Sequence, residues 1–298
     1  MVQKTEKILV ISGGAIEASF MLKYIEEQIK NIDETDFVIL TELSTSSYIP
    51  NQKIWQYAES NGELTKEWAT EIARKYNIYI GAGFVEKAEN DIYNSYLIAN
   101  SDGILGTVRK SEPESNIFKR GKFGHIIETP LGKIAISICF DSHKKAFYDS
   151  IKSEDISMIL MPHAWATDKD REKEDKQKII TLVSSYGNAF NCPVVFANAV
   201  GEVEQMAGIT GKLMNPQKYK LNGNSIIYSD GKVTNFAGKS ESLSVECEVK
   251  PRKRTQDITF YGDWIDEGSA LFRNVVIPLD VKKGVKMYNK SKESDFER

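Results

Sequence analysis

Only three cysteines, Cys139, Cys192 and Cys247, occur in 298 residues, an odd count whose spacings match no disulfide framework and no zinc motif. Histidine is equally scarce: His125, His143 and His163 stand singly, which argues against a structural metal. An excess of one charge is missing too. The 39 Lys and Arg residues nearly balance 42 Asp and Glu, for a formal net charge of -3, and the two signs are interleaved, so no nucleic-acid partner is expected. No apolar run approaches the roughly 18 residues of a membrane span, and the opening MVQKTEKILVISGG lacks the apolar stretch of a secretory signal. A cytoplasmic chain without membrane association is the expectation. Low-complexity linkers and internal sequence repeats are also absent, so residues 1–298 are expected to form one domain. What is present, 41% hydrophobic and 27% charged residues, is the make-up of a globular protein with ample core.

Periodicity divides the chain. KILVIS and DFVIL read as strands on either side of FMLKYIEEQIKNI, which puts Leu22, Ile25, Ile29 and Ile32 on one helical stripe. LTKEWATEIARKYN, with Leu64, Trp68 and Ile72 four apart, leads in the same way into IYIGAGFVE. This βαβαβ rhythm predicts crossover connections. Three hairpins are then expected, turning at Ser101-Asp102-Gly103, Pro130-Leu131-Gly132 and Ser229-Asp230-Gly231, which puts antiparallel pairs into a mixed sheet. KQKIITLVSSYGNAFN reads as a further helix before the strand CPVVFANAV, and the mixed-sign run TDKDREKEDKQK before it as a solvated helix start or loop. The tail, about 250–298, is charged yet carries Phe260, Tyr261, Trp264, Leu271 and Phe272. Such apolar weight should pack on its own domain or on a second subunit.

In KIAISICFDSH, Ile134, Ile136 and Ile138 alternate with smaller residues up to Cys139. A thiol at the carboxyl end of a core strand is either a small buried hydrophobe or a nucleophile presented where α/β folds place their sites. Two other strand ends carry complementary chemistry: Glu42 after DFVIL and Lys110 after GILGTVR. A nearby cation lowers a thiol pKa from about 8.5, and a carboxylate can take the departing proton. Taken one at a time, Glu42 reads equally as a solvated acid, Lys110 as a surface charge beside Arg109, and Asp141 as a turn former.

In order, ILTELSTSSY, YNSYLIANSDGILGTVRK, FGHIIETPLGKIAISICFD, MILMPHAW, GNAFNCPVVFANAVG and GNSIIYSDGKV resemble the successive blocks of the carbon-nitrogen hydrolase (nitrilase) superfamily. The resemblance implies a four-layer α-β-β-α sandwich of two mixed β-sheets, and a catalytic Glu-Lys-Cys triad at Glu42, Lys110 and Cys139. It also implies a second glutamate. Glu112 and Glu114 both qualify, and counting back from Gly121 favours Glu114. The chain departs from the family pattern at Thr41, where a proline commonly precedes the first glutamate, and at Ser111-Glu112, where a His-Leu pair commonly follows the lysine.

On the same resemblance Cys139 attacks an amide-like carbonyl, Glu42 carries the proton, and a thioester forms and is hydrolysed without metal or organic cofactor. The Lys110 ammonium and the backbone N–H of Phe140 would hold the developing oxyanion. His163 and Trp165 fall beside the pocket, and Tyr48 would wall it or simply pack. Asn198 should satisfy local backbone groups, His143 should face away from the nucleophile, and Cys192 and Cys247 should be packing residues. The expected function is hydrolysis of a non-peptide C–N bond in a small amide or N-carbamoyl compound. Nitrile hydrolysis, acyl transfer, a non-catalytic ligand-binding role and an unrelated Cys-His hydrolase using His143 or His163 remain alternatives. Members of the superfamily usually pair, so a homodimer or larger assembly is expected; elution from a sizing column at the mass of one chain would contradict it.

Overall fold

A computed structural model describes residues 5–13, 18–31, 34–204, 206–213, 219–240, 242–267 and 269–296. Two large sheets lie face to face. The first runs Ser242–Cys247, Glu6–Ile11, Phe37–Leu40, Tyr79–Ala88, Asp91–Asn100, Gly103–Arg109, with the short strand Glu59–Ser60 beside Tyr79–Ala88. The second runs Lys232–Phe236, Ile226–Ser229, Val194–Asn198, Ile156–His163, Gly132–Ile136, Ile126–Thr129. Both are mixed: along each run the two central contacts are parallel and the outer neighbours antiparallel, and Glu59–Ser60 adds a third parallel contact to the first sheet.

The alternating strand residues explain the layers. Ile8, Val10, Phe37, Ile39, Tyr96 and Ile98 of the first sheet meet Ile134, Ile136, Met158, Leu160, Val195 and Ile227 of the second in one continuous core. The opposite faces are covered by helices. Ala18–Lys30 and Glu63–Tyr76 bury Ile25, Ile29, Ala69, Ile72 and Ala73 on the first sheet. Lys145–Ile151 and Glu172–Phe190 bury Phe147, Ile151, Ile179, Leu182 and Val183 on the second. At roughly 1.5–3 kcal/mol for each large side chain withdrawn from water, these stripes anchor the outer layers. The result is the expected α-β-β-α sandwich.

The three turns stand where the sequence puts them, between Asn100 and Gly103, Thr129 and Gly132, and Ser229 and Lys232. Several details differ. Leu64 is 68% exposed, because the buried stripe of its helix starts one residue later, at Thr65, and continues through Ala69 and Ala73. Ile32, expected on the first helical stripe, lies outside the described residues. The charged run resolves into a strand end, a 3-10 turn at Lys169–Arg171 and the first turns of the helix Glu172–Phe190. An additional three-stranded sheet, Ala166–Asp168, Tyr219–Asn222 and Val200–Glu202, forms at the rim.

The C-terminal segment packs on its own chain. Arg252 bridges to Ile156, and Trp264 to Lys144, while Ile258, Phe260 and Ile265 lean on the second sheet's outer cluster. The closing helix Ile277–Phe296 returns to the first sheet, where the Tyr288 hydroxyl accepts from Ile92 N–H at 2.9 Å and lies 3.0 Å from Asp91. Leu271 stays 66% exposed, and Phe272, Val275 and Leu279 are exposed as well. Among the described residues no helix is long and apolar enough to cross a membrane.

Candidate active site

Glu42 follows the strand Phe37–Leu40 and is held by a close backbone approach. Ser44 and Thr45 donate to Gly83 O, and Gly83 N–H donates back to Ser44 Oγ. A Cβ on Gly83 would stand 2.5 Å from Leu43 N and 2.8 Å from Thr41 O, so only glycine lets this loop settle on the neighbouring strand. Lys110 ends Gly103–Arg109. Its carbonyl accepts from Gly121 N–H at 2.8 Å, and a Cβ on Gly121 would lie 2.2 Å from Arg109 O. Cys139 begins a 3-10 turn, Cys139–His143, immediately beyond the strand Gly132–Ile136. Its φ of 50° lies in the left-handed region, which non-glycine residues rarely occupy without a compensating demand.

The charges form a buried array. Lys110 Nζ donates to Glu42 Oε1 at 2.6 Å and reaches the Glu114 oxygens at 3.3 and 3.4 Å. Asn94 Nδ2 donates to the same Glu42 Oε1 at 2.8 Å, and the Tyr48 hydroxyl donates to Glu114 Oε1 at 2.7 Å. Glu42 Oε2 is buried with no hydrogen-bond partner. Of the two candidate second glutamates, Glu114 lies against Lys110, whereas Glu112 pairs with Arg120.

These neighbours set the protonation preferences. Burial raises the Glu42 pKa above the usual carboxylate range, against the pull of Lys110. Burial acts on Lys110 and Glu114 too, but the opposing charges outweigh it, holding the ammonium well above its usual value and Glu114 below its own. Burial pushes the Cys139 thiol well up; Glu42 pushes it further, and Lys110 only partly offsets them. Lys110 does pull the thiol down, as expected of a neighbouring cation, but burial and the carboxylates outweigh it. The ammonium already faces two carboxylates, so the sulfur meets a net negative surrounding and rests protonated. A base must therefore take its proton as it attacks.

The raised thiol pKa has a direct consequence for chemical labelling. Iodoacetamide should modify half-buried Cys139 ahead of Cys192 and Cys247, which are buried and pushed up to about 12. The Cys139 rate should climb about tenfold per pH unit through neutrality, since only the thiolate reacts. Peptide mapping of labelled protein against pH checks this; a plateau below pH 7 would mean the thiolate is already formed.

Asp141 is more than a turn former. Its oxygens accept from Ser111 N–H at 3.0 Å and Glu112 N–H at 2.7 Å, lashing the segment after Lys110 to the turn that carries Cys139. Burial pushes its pKa up to about 7, although both N–H groups and Lys110 pull the other way. His125 braces the same place, with Nε2 3.0 Å from Ser111 Oγ and Nδ1 3.1 Å from Ile136 O.

Two cavities touch the array. A cleft of about 320 Å³ opens at Cys139 between Phe140, His143, His163, Trp165, Trp264 and Phe272. A second of only about 30 Å³ is lined by Glu42 with Thr41, Ser44, Tyr48, Ala199 and Leu221. Phe140, His163 and Trp165 thus lie on the wall of the thiol's cleft, and Tyr48 lies on the Glu42 side. His163 is fully buried, with Nδ1 2.9 Å from Met161 O, and burial lowers its pKa well below the usual value. His143 does not face away: it lines the cleft, with Nδ1 2.6 Å from Asp266 Oδ2. Asn198 bonds locally, to Trp165 N–H and to the carbonyls of Trp165 and Gly223. Asn94 and Trp264 are site residues the sequence reading does not single out. Asn94 was reachable, since its carbonyl accepts from Lys110 N–H and the predicted hairpin register brings the two together.

A four-layer sandwich that sets a buried carboxylate-ammonium-carboxylate array beside a thiol, with Glu42, Lys110 and Cys139 just past strand ends and Glu114 on the loop after Lys110, defines a class of α/β protein. Within that class the chain belongs to the carbon-nitrogen hydrolase family, whose model matches residues 18–249. It is 29% identical over 212 residues, 65% of this chain and 75% of the relative, to a probable nitrilase of Schizosaccharomyces pombe. To an omega-amidase of Saccharomyces cerevisiae it is 24% identical over 220 residues, 62% of this chain and 75% of the relative. The crystal structure of a carbon-nitrogen hydrolase from Helicobacter pylori G27 superposes with a TM-score of 0.68 at 21% identity, covering 82% of this chain and 89% of that one.

Proposed function

We propose that the protein is a thiol-dependent amidase that cleaves a non-peptide C–N bond in a small amide through a thioester. The observation that carries this reading is the Glu42–Lys110–Glu114 array, with one Glu42 oxygen unpartnered beside a half-buried thiol. A carboxylate whose proton affinity is raised by burial suits the transfer required: it takes the Cys139 proton during attack and gives it to the departing nitrogen. Lys110 and the Phe140 N–H stabilise the oxyanion, and Glu114, pinned by Tyr48, keeps the ammonium in place. In the second half-reaction Glu42 activates water against the thioester. Relatives named as omega-amidase and N-carbamoylputrescine amidase support the amide reading.

Mass spectrometry of intact protein exposed to amides, ureido acids and nitriles tests the proposal, with ammonia release followed in parallel. An acyl adduct on Cys139 that disappears as acid accumulates is expected. Transfer of the acyl group to an added amine in preference to water would make the protein an acyltransferase, and no adduct with any compound would make the site non-catalytic. For assembly, we propose that a second copy covers exposed Leu271, Val275 and Leu279; a single-chain mass in solution would contradict it.

A further inference from the structure

We propose that the C-terminal segment builds the acyl pocket, so that the substrates are amides with no bulky substituent on the departing nitrogen and an aromatic or similarly broad apolar acyl group, and that Trp264 determines this specificity. The inference rests on the amidase reading above and adds the substrate class to it. Two cavities of unequal size carry the argument.

The first bears on the leaving group. Glu42 must deliver its proton to the departing nitrogen, so that nitrogen lies within hydrogen-bonding reach of the carboxylate, and any substituent on it must occupy the space that Glu42 lines. That space is about 30 Å³, closed by Thr41, Tyr48, Ala199 and Leu221. It has room for about two water-sized molecules, at roughly 10–15 Å³ of probe-occupied volume each. A branched or aromatic substituent on the departing nitrogen does not fit, whereas a ureido compound can still present its NH2 end to Glu42.

The second bears on the acyl group. The cleft at Cys139 is about 320 Å³, within the range of roughly 300–1,000 Å³ typical of small-molecule sites. Six of the residues lining it carry rings, and Lys178, Asp266, Ser269 and Arg273 complete the wall around Cys139. Trp264 stands edge-on to Phe140 with centroids 5.0 Å apart, and Trp165 lies 5.4 Å from His143. The tail is fixed there: Lys145 N–H donates to Asp263 O and Ile265 N–H to His143 O, both at 2.9 Å, and Asp266 holds His143. Lys144 Nζ lies 3.8 Å from the centre of the Trp264 ring. An acetyl group would leave most of this space to water in contact with aromatic faces, whereas an aryl group would displace that water and meet the rings edge-on or offset.

For such a substrate the Cys139 S–C bond forms as the C–N bond breaks, and the thiol proton passes through Glu42 to nitrogen, which leaves as ammonia. Water then forms the new C–O bond, the C–S bond breaks, and a proton returns to sulfur.

The test compares kcat/KM for phenylacetamide, acetamide and N-benzylphenylacetamide in the wild type and in Trp264→Ala and Trp264→Phe. Phenylacetamide should exceed acetamide by about tenfold or more and N-benzylphenylacetamide by about 100-fold or more. Trp264→Ala should collapse the phenylacetamide-to-acetamide ratio about tenfold, and Trp264→Phe, which keeps a ring, should retain it within about threefold. Equal use of the N-benzyl compound, a preference for acetamide, or a ratio that both variants leave unmoved would overturn the inference. An acyl adduct on Cys139 from p-nitrophenyl acetate separates the two levels: with the adduct present, those outcomes remove only the substrate class, and without it the amidase reading falls as well.

Discussion

Lys110→Met is expected to remove both the reaction and several kcal/mol of stability. The wild-type ammonium is almost wholly buried and is shared by Glu42 and Glu114. Methionine fills similar space but leaves fully buried Glu42 and largely buried Glu114 without the cation between them. Breaking a buried ion pair by deleting one partner typically costs about 3–5 kcal/mol, and losing one oxyanion donor costs about 100- to 1,000-fold in rate. The pH dependence has a definite sign. Without the lysine both carboxylates have folded-state pKa values above their unfolded ones, so the folded protein binds more protons. The variant's stability is then best preserved below about pH 4.5 and declines as pH rises through the raised values. Urea unfolding at pH 4.5 and 7.5 reads this directly: the deficit relative to wild type should widen with pH, and a constant deficit would mean that the two acids do not depend on Lys110.

Cys139 should show the opposite balance between activity and stability. Removing the thiol in Cys139→Ala should lower turnover by about 10,000-fold or more, as expected for the nucleophile of a covalent mechanism, with little change in unfolding temperature. Cys139→Gly should be equally inactive but more stable than the alanine variant by about 1 kcal/mol, because the residue sits at φ 50°, where a Cβ is disfavoured. Elsewhere glycine's extra unfolded-state entropy makes it the weaker choice. Thermal unfolding of the two variants side by side decides; alanine equal to or above glycine would show that the turn carries no strain.

Local chemistry made much of this protein readable in advance. The Ser-Asp-Gly and Pro-Leu-Gly turns announced three hairpins, and the apolar stripes of Ile25 and Ile29 and of Ile179, Leu182 and Val183 announced helices lying on sheets. The pairing of Tyr79–Ala88 with Asp91–Asn100 was not announced, because its turn at Glu89-Asn90 carries no glycine although Glu89 adopts φ 54°. Glu42, Lys110 and Cys139 stand out as chemistry-bearing residues at strand ends, where a resemblance gives them roles. The raised thiol pKa was hidden, since it depends on burial and then on how many carboxylates face one ammonium, and both are properties of packing. Trp264 was hidden for a related reason: 125 positions separate it from Cys139, and only the path of the tail brings the two together.

Glu42 and Lys110 belong to one sheet and Cys139 to the other, so neither half of the sandwich contains a complete reaction centre. A partly folded chain with either sheet formed alone would hold a thiol that titrates in water like any exposed cysteine but would lack the carboxylate and ammonium that turnover needs. During refolding, regained turnover would therefore time the meeting of the two halves.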